Sequence, residues 1–142
     1  MVTVHEQARL GAGAEEVWKL VGDFIGFIQA LIANMDDAHV VVEGEGVGMV
    51  RKVTVGEDVA IERLEAYDQE DWRTSYSMPV TGPFPMTDYF STIQLTPATG
   101  GGCEIDWTGT FEPDGVSDDV AAEAVRNVYT QAIAMLQGRF GA

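Results

Sequence analysis

From Ala38 onward the chain is written almost entirely in strands, and then it closes on a single long amphipathic helix. This order limits the fold more than any single motif does. Strand-length runs occupy Val40–Val42, Met49–Val55, Val59–Tyr67, Trp72–Met78, Tyr89–Leu95 and Glu104–Phe111. Between them, Gly44-Glu45-Gly46, Gly56-Glu57-Asp58, Asp68-Gln69-Glu70-Asp71 and Gly100-Gly101-Gly102 supply turn residues at close intervals, the pattern of antiparallel hairpins. Pro79 to Pro85 holds three prolines and one glycine and reads as a longer connection, too irregular for a strand. Upstream, Val2, Val4 and Glu6 alternate with Thr3, His5 and Gln7 before Gly11, which predicts one more strand of about eight residues. Ala14-Glu15-Glu16-Val17-Trp18 opens a short helix with acids in its first turn, Gly22-Asp23 breaks it, and Phe24 to Ala33 reads as a second. Ser117 is a good N-cap for the last segment. There Ala121, Ala124, Val125, Val128, Ala132, Met135 and Leu136 recur at helical spacing.

The predicted architecture is therefore α+β, a helix-grip arrangement within one domain spanning residues 1–142. It comprises a seven-stranded antiparallel sheet, two short helices after the first strand, and a long C-terminal helix. A sheet that wide does not stay flat; it curls, and its concave face needs a cover. The terminal helix is the only long element available for this, and Ala121, Ala124 and Ala132 on it leave space instead of filling it. A cavity between sheet and helix is the expected result, with a volume of about 300 to 1,000 Å³, as is usual for ligand sites. Tyr76, Met78, Phe84, Met86, Trp107, Val128 and Ala132 are its predicted lining, and Phe84 on the proline loop is expected to be an exposed lid.

Charge excludes several partner classes. The chain carries 23 acidic against 8 basic residues, a formal net charge of −15, which repels phosphate backbones and anionic lipid surfaces. Neither nucleic acid nor membrane is an expected partner. The apolar stretch from Phe24 to Met35 is interrupted by Gly26, Gln29 and Asn34 and falls far short of the roughly 20 residues of a membrane span. Met1 to Leu10 alternates and carries His5, Glu6 and Arg9, unlike a secretory leader. The one cysteine, Cys103, has no internal partner, which agrees with a cytoplasmic location. A dimer is compatible with all of this but is not specified by it.

Motifs that resemble chemistry have simpler explanations here. Gly44-Glu45-Gly46-Val47-Gly48 has no following helix to cradle a phosphate and is a hairpin turn. His5 and His39 sit far apart, outside any cluster with ligand spacing, so neither a metal nor another cofactor is expected. Cys103 follows a glycine turn at a strand start and is expected to be a surface or edge thiol.

Several ordered segments carry a family resemblance: Glu16-Val17-Trp18, Gly46-Val47-Gly48-Met49-Val50-Arg51, Glu62-Arg63-Leu64-Glu65 with Asp68, Tyr89 with Ser91-Thr92-Ile93, and Trp107 with Phe111. In order and spacing, over nearly the whole chain to Leu136, they resemble the START-like, birch-pollen-allergen superfamily (SRPBCC), specifically its bacterial polyketide-cyclase/dehydrase-like branch. The plant abscisic acid receptors share the Glu62-Arg63-Leu64 segment and Tyr89 with Ser91. That resemblance implies that Arg51, Glu62, Tyr89 and Ser91 point into the cavity. The chain departs from the receptors in three places: Gly56 to Asp58 lacks their proline-containing gate, Phe84-Pro85-Met86 lacks their basic latch, and Leu31 stands where they carry a ligand-pairing lysine.

Arg51, Glu62 and Tyr89 form the set of most chemical interest. Arg51 and Glu62 lie at similar intervals from the turn at Gly56 to Asp58, so they can face each other across a hairpin. A buried carboxylate and guanidinium need each other, and such a set is either a structural ion pair with a tyrosine cap or a functional site. Three functions follow. The first is binding of a small hydrophobic or aromatic, polyketide-like ligand in the cavity. The second is a cyclase, dehydratase or lyase on such a molecule, with Glu62 as general acid or base, Tyr89 as proton donor and Arg51 stabilising developing negative charge. The third is a protein-interaction module like the related heat-shock co-chaperones, which requires an exposed apolar patch on the outer face of the sheet.

Overall fold

The computed structural model describes all residues, Met1 to Ala142. Strand β1 spans Val2–Leu10 and is followed by helices α1 (Ala14–Val21) and α2 (Phe24–Ile32). Strands β2 (Ala38–Glu43), β3 (Val50–Val55), β4 (Asp58–Asp68), β5 (Arg73–Val80), β6 (Met86–Pro97) and β7 (Cys103–Pro113) come next, and helix α3 covers Asp118–Phe140. All seven strands form one antiparallel sheet in the order β1-β7-β6-β5-β4-β3-β2. Strands β2 to β7 are thus a meander, and β1 returns to pair with β7 from Val2 opposite Phe111 to Leu10 opposite Cys103. The chain has the α+β helix-grip fold.

Local chemistry explains where the helices start. Ser117 accepts a hydrogen bond from the Val120 amide at the head of α3, and Asp23 accepts from the amides of Ile25 and Gly26 at the head of α2. Asp23 is therefore a cap as well as a break. Helix α3 buries Ala121, Val125, Tyr129, Ala132, Ile133 and Leu136 as one stripe against the sheet. Its far end is tied down by the Gly11 amide, which donates to the Gly141 carbonyl at 2.8 Å. A side chain at Gly11 would meet the Phe140 carbonyl oxygen at 2.8 Å, so that junction needs glycine.

Most strand ends shift by a residue or two, and the connection between the fifth and sixth strands changes most. Strand β5 continues through Pro79 to Val80, and β6 already begins at Met86, so the connection shrinks to residues 81–85. A bulge permits this: opposite Ile61–Arg63 the register on β5 jumps from Val80 to Ser77, leaving Met78 and Pro79 across from Glu62 alone. Proline donates no ladder hydrogen bond and is tolerated there. Cys103, expected at the surface or an edge, is fully buried because β1 pairs outside β7 and makes it an interior strand. No helix is long and apolar enough to cross a membrane.

Candidate functional site

Between the sheet and α3 lies a cavity of about 530 Å³ lined by 22 residues, 17 of them hydrophobic. Its lining comes from α2 and the loop after it, β3, β4, β5, the β5–β6 loop, β6 and α3. Asn34, Met35, Asp58, Pro83, Val128 and Gln131 are exposed and mark the mouth, whereas Glu62, Tyr76, Met86, Tyr89, Val125 and Ala132 are buried and form the inner wall. A second space of about 60 Å³, which shares Ile28, Leu31, Glu62, Tyr76 and Val128 with the first, reaches back to Arg51, Phe24 and Trp107.

Bulges aim the wall residues. Met86 and Tyr89 lie three apart on β6 and in a regular strand would face opposite ways. Strand β6 carries an extra residue where Asp88 and Tyr89 stand across from Phe111, and Asp88 takes the left-handed conformation at φ 55°. Both Met86 and Tyr89 therefore turn inward, 1% and 5% exposed.

Arg51 stands directly opposite Glu62 in the β3–β4 register, and its Nε donates to Glu62 Oε1 at 2.9 Å. The same guanidinium donates from Nη1 to the Phe24 carbonyl and lies over the Phe24 ring, 3.9 Å from its centre. It thus holds the first turn of α2 against the sheet. Arg51 lines only the small space; its partner Glu62 lines both.

Tyr89 does not join this pair. Its hydroxyl bonds to that of Tyr129 on α3, and Tyr129 in turn is 3.0 Å from Ser91 Oγ, which accepts from Trp107 Nε1 at 2.8 Å. The Tyr129 ring stacks on Trp107 with centres 4.5 Å apart. Tyr76 stands between the two groups, its ring centre 6.0 Å from that of Tyr89 and 5.3 Å from the Arg51 guanidinium carbon.

All three phenols are held protonated. Burial pushes Tyr89 well above the usual tyrosine range, and the neighbouring phenols of Tyr76 and Tyr129 add to the effect. Burial likewise raises Tyr129. At Tyr76 burial raises the phenol first and the Glu62 carboxylate second, while Arg51 pulls the other way. At neutral pH the wall therefore presents hydroxyl donors and no phenolate.

The structure sorts the sequence-derived candidates. Tyr76, Met78, Phe84, Met86, Tyr89, Glu62, Val128 and Ala132 line the large cavity. Trp107 does not; it lines only the small space, because Tyr129 stacks over it. Ser91 lines neither, being 0% exposed beneath the Tyr129 hydroxyl. Phe84 is half-buried against the core where an exposed side chain was expected, and it lines the cavity beside the exposed Pro83. Tyr129 is the residue that sequence reasoning missed. Its signal is Gly109, a glycine inside a strand, where an added side chain would come within 2.1 Å of the Tyr129 hydroxyl. No group of three or more His, Cys, Asp or Glu stands together as a metal site.

A seven-stranded sheet gripping a long helix around an internal cavity defines this chain as a member of the START-like, birch-pollen-allergen superfamily. Within it, the chain belongs to the family described as polyketide cyclase / dehydrase and lipid transport, which matches residues 1–141. It is 31% identical over 120 residues to MLP-like protein 423 of Arabidopsis thaliana, covering 77% of this chain and 75% of that one. Among solved structures it is similar to the protein XoxI from Bacillus cereus, with TM-score 0.84, 29% identity and coverage of 99% and 96% of the two chains. It shares its fold with norcoclaurine synthase from Thalictrum flavum, solved in complex with dopamine and hydroxybenzaldehyde, at TM-score 0.74, 18% identity and coverage of 96% and 84%.

Proposed function

We propose that this protein binds a small, mostly apolar molecule, aromatic or polyketide-like, in the cavity between sheet and α3. The observation that carries the reading is the cavity itself, about 530 Å³ with 17 hydrophobic residues among the 22 that line it, a size and polarity suited to such ligands. The family description, with its cyclases, dehydrases and lipid transport, supports the same class of molecule. On this reading Tyr76, Met78, Phe84, Met86, Val128 and Ala132 touch the ligand, and Trp107 and Ser91 act from behind the wall.

One observation favours an enzymatic reading: Glu62 reaches the cavity while paired to Arg51, and Tyr89 lines the same cavity. Glu62 would then be the general acid or base, Tyr89 the proton donor and Arg51 the stabiliser of developing charge. Against it stands Tyr89 itself, whose phenol is pushed well above its usual range and so releases its proton reluctantly.

Thermal unfolding with a panel of neutral aromatic and polyketide-like compounds, paired with a search for turnover, tests both readings. The binding reading expects stabilisation of about 2.7 kcal/mol at a ligand concentration of 100 times Kd, with no product formed. No stabilisation by any compound contradicts it. The variant Glu62→Gln separates the two readings. On either reading, leaving Arg51 buried without its charge partner is expected to cost about 3 to 5 kcal/mol of stability; only an enzyme using Glu62 also loses on the order of a hundredfold or more in rate, measured on the folded variant.

A further inference from the structure

The cavity wall holds a surplus hydrogen-bond donor, and simple counting shows it. Trp107, Ser91, Tyr129 and Tyr89 bring four polar hydrogens to a chain with three contacts, from indole to Ser91, Ser91 to Tyr129, and Tyr129 to Tyr89. Each contact uses one hydrogen, so one is always left over. The indole N–H can only donate, which fixes the first contact. If both remaining contacts turned back toward Trp107, the surplus hydrogen would belong to Ser91, and if Ser91 and Tyr89 both donated to Tyr129 it would belong to Tyr129. Ser91 and Tyr129 are both 0% exposed and line neither space, so a hydrogen left on either is stranded at a cost of about 1 to 3 kcal/mol unless Ser91 passes it to the Tyr76 phenol. If both contacts turn forward, Ser91 donates to Tyr129, Tyr129 donates to Tyr89, and the Tyr89 hydrogen is free at the cavity wall. Should Tyr89 pass it on to the neighbouring Tyr76 phenol, the surplus still ends at the cavity, because Tyr76 lines it too.

The charges around that donor point the same way. Asp58 at the mouth and Glu62 at the inner end are the only charged residues lining the large cavity, and no lysine, arginine or histidine joins them. Arg51 is the nearest cation. It lines only the small space, where its Nε donates to Glu62 and its Nη1 to the Phe24 carbonyl. A ligand carboxylate would be buried beside Glu62 without a counter-ion, which is very unfavourable.

We infer that the cavity selects an uncharged ligand bearing a hydrogen-bond acceptor, such as a ketone or quinone carbonyl, and seats that acceptor against the Tyr89 hydroxyl. This deepens the binding reading above and rests on it.

Three probes of one skeleton test it: 2-acetylnaphthalene, 2-ethylnaphthalene and 2-naphthoate, each titrated into the wild-type protein and the Tyr89→Phe variant. The ketone is expected to bind about threefold to tenfold more tightly than the hydrocarbon, the worth of one neutral hydrogen bond. The naphthoate is expected to bind more weakly than either. In Tyr89→Phe the advantage of the ketone disappears, while the hydrocarbon, which controls for an intact cavity, binds as before. Equal binding of ketone and hydrocarbon to the wild type, an advantage that survives in Tyr89→Phe, or tightest binding of the naphthoate would each overturn this inference while leaving the cavity a binding site. Failure of all three probes to bind would overturn the binding reading itself.

Discussion

At the residue scale, the Tyr129 hydroxyl occupies the space that a side chain at position 109 would fill. Gly109 stands opposite Ser91 in the β6–β7 register, so one missing side chain lets a helix phenol reach a strand hydroxyl. Gly109→Ala is expected to cost about 1 to 3 kcal/mol through overpacking. In a Tyr129→Phe background the obstructing oxygen is gone, and most of that cost should vanish. A double-mutant cycle by urea unfolding measures this, and strictly additive effects would contradict the assignment. The same phenol sets an alkaline limit. Its pKa is raised in the folded chain, so below about pH 10 both folded and unfolded states keep the proton; above it the unfolded chain releases the proton first and unfolding is favoured. Wild-type stability should therefore fall more steeply than that of Tyr129→Phe between about pH 10 and pH 12, as thermal melts across that window will record. The Arg51–Glu62 juxtaposition could be read from the sequence, because equal intervals to one turn place two residues opposite each other. Tyr129 could not, because along the helix it is one more apolar residue and only the curled sheet brings it to Ser91.

At the element scale, strand number, the meander and the closing helix were legible because turn residues and alternation recur so regularly, whereas the pairing of β1 outside β7 was not. Nor were the bulges. An extra residue at Met78–Pro79 or at Asp88–Tyr89 breaks the period of two, and alternation alone cannot say which strand absorbs it. For this reason Pro79 looked like loop, and Met86 fell outside the predicted strand although it shares a wall with Tyr89. Helix α2 shows a second gap between pattern and function. Its cap, Asp23, satisfies two amides one residue before the Phe24 carbonyl that receives Arg51. Asp23→Ala should lower stability by about 1 kcal/mol. It should also loosen the first turn of α2, seen as faster amide exchange at Ile25 and Gly26; unchanged exchange there would deny the cap its role.

At the scale of the whole molecule, β1 pairs with β7 at one edge of the sheet, and the tie between Gly11 and Gly141 fixes the end of α3 to the end of β1. The meander and α3 are left to enclose the cavity. Of the residues that α3 turns toward that space, Ala132 is the small one: it is 2% exposed and lines the cavity, so any larger side chain there must project into it. Of the three alanines that the sequence offered as leaving room, Ala132 lines the cavity, whereas Ala121 is packed in the core and Ala124 against it; which polar groups face the room depended on bulges and on Tyr129, and came only from the structure. Binding inside this cavity is the central claim, and blocking it is the most direct test. Titrating 2-acetylnaphthalene by calorimetry into wild type and Ala132→Phe, with circular dichroism confirming that both are folded, should give saturable binding to the first and none to the second. Equal binding to both would place the ligand elsewhere and contradict the account.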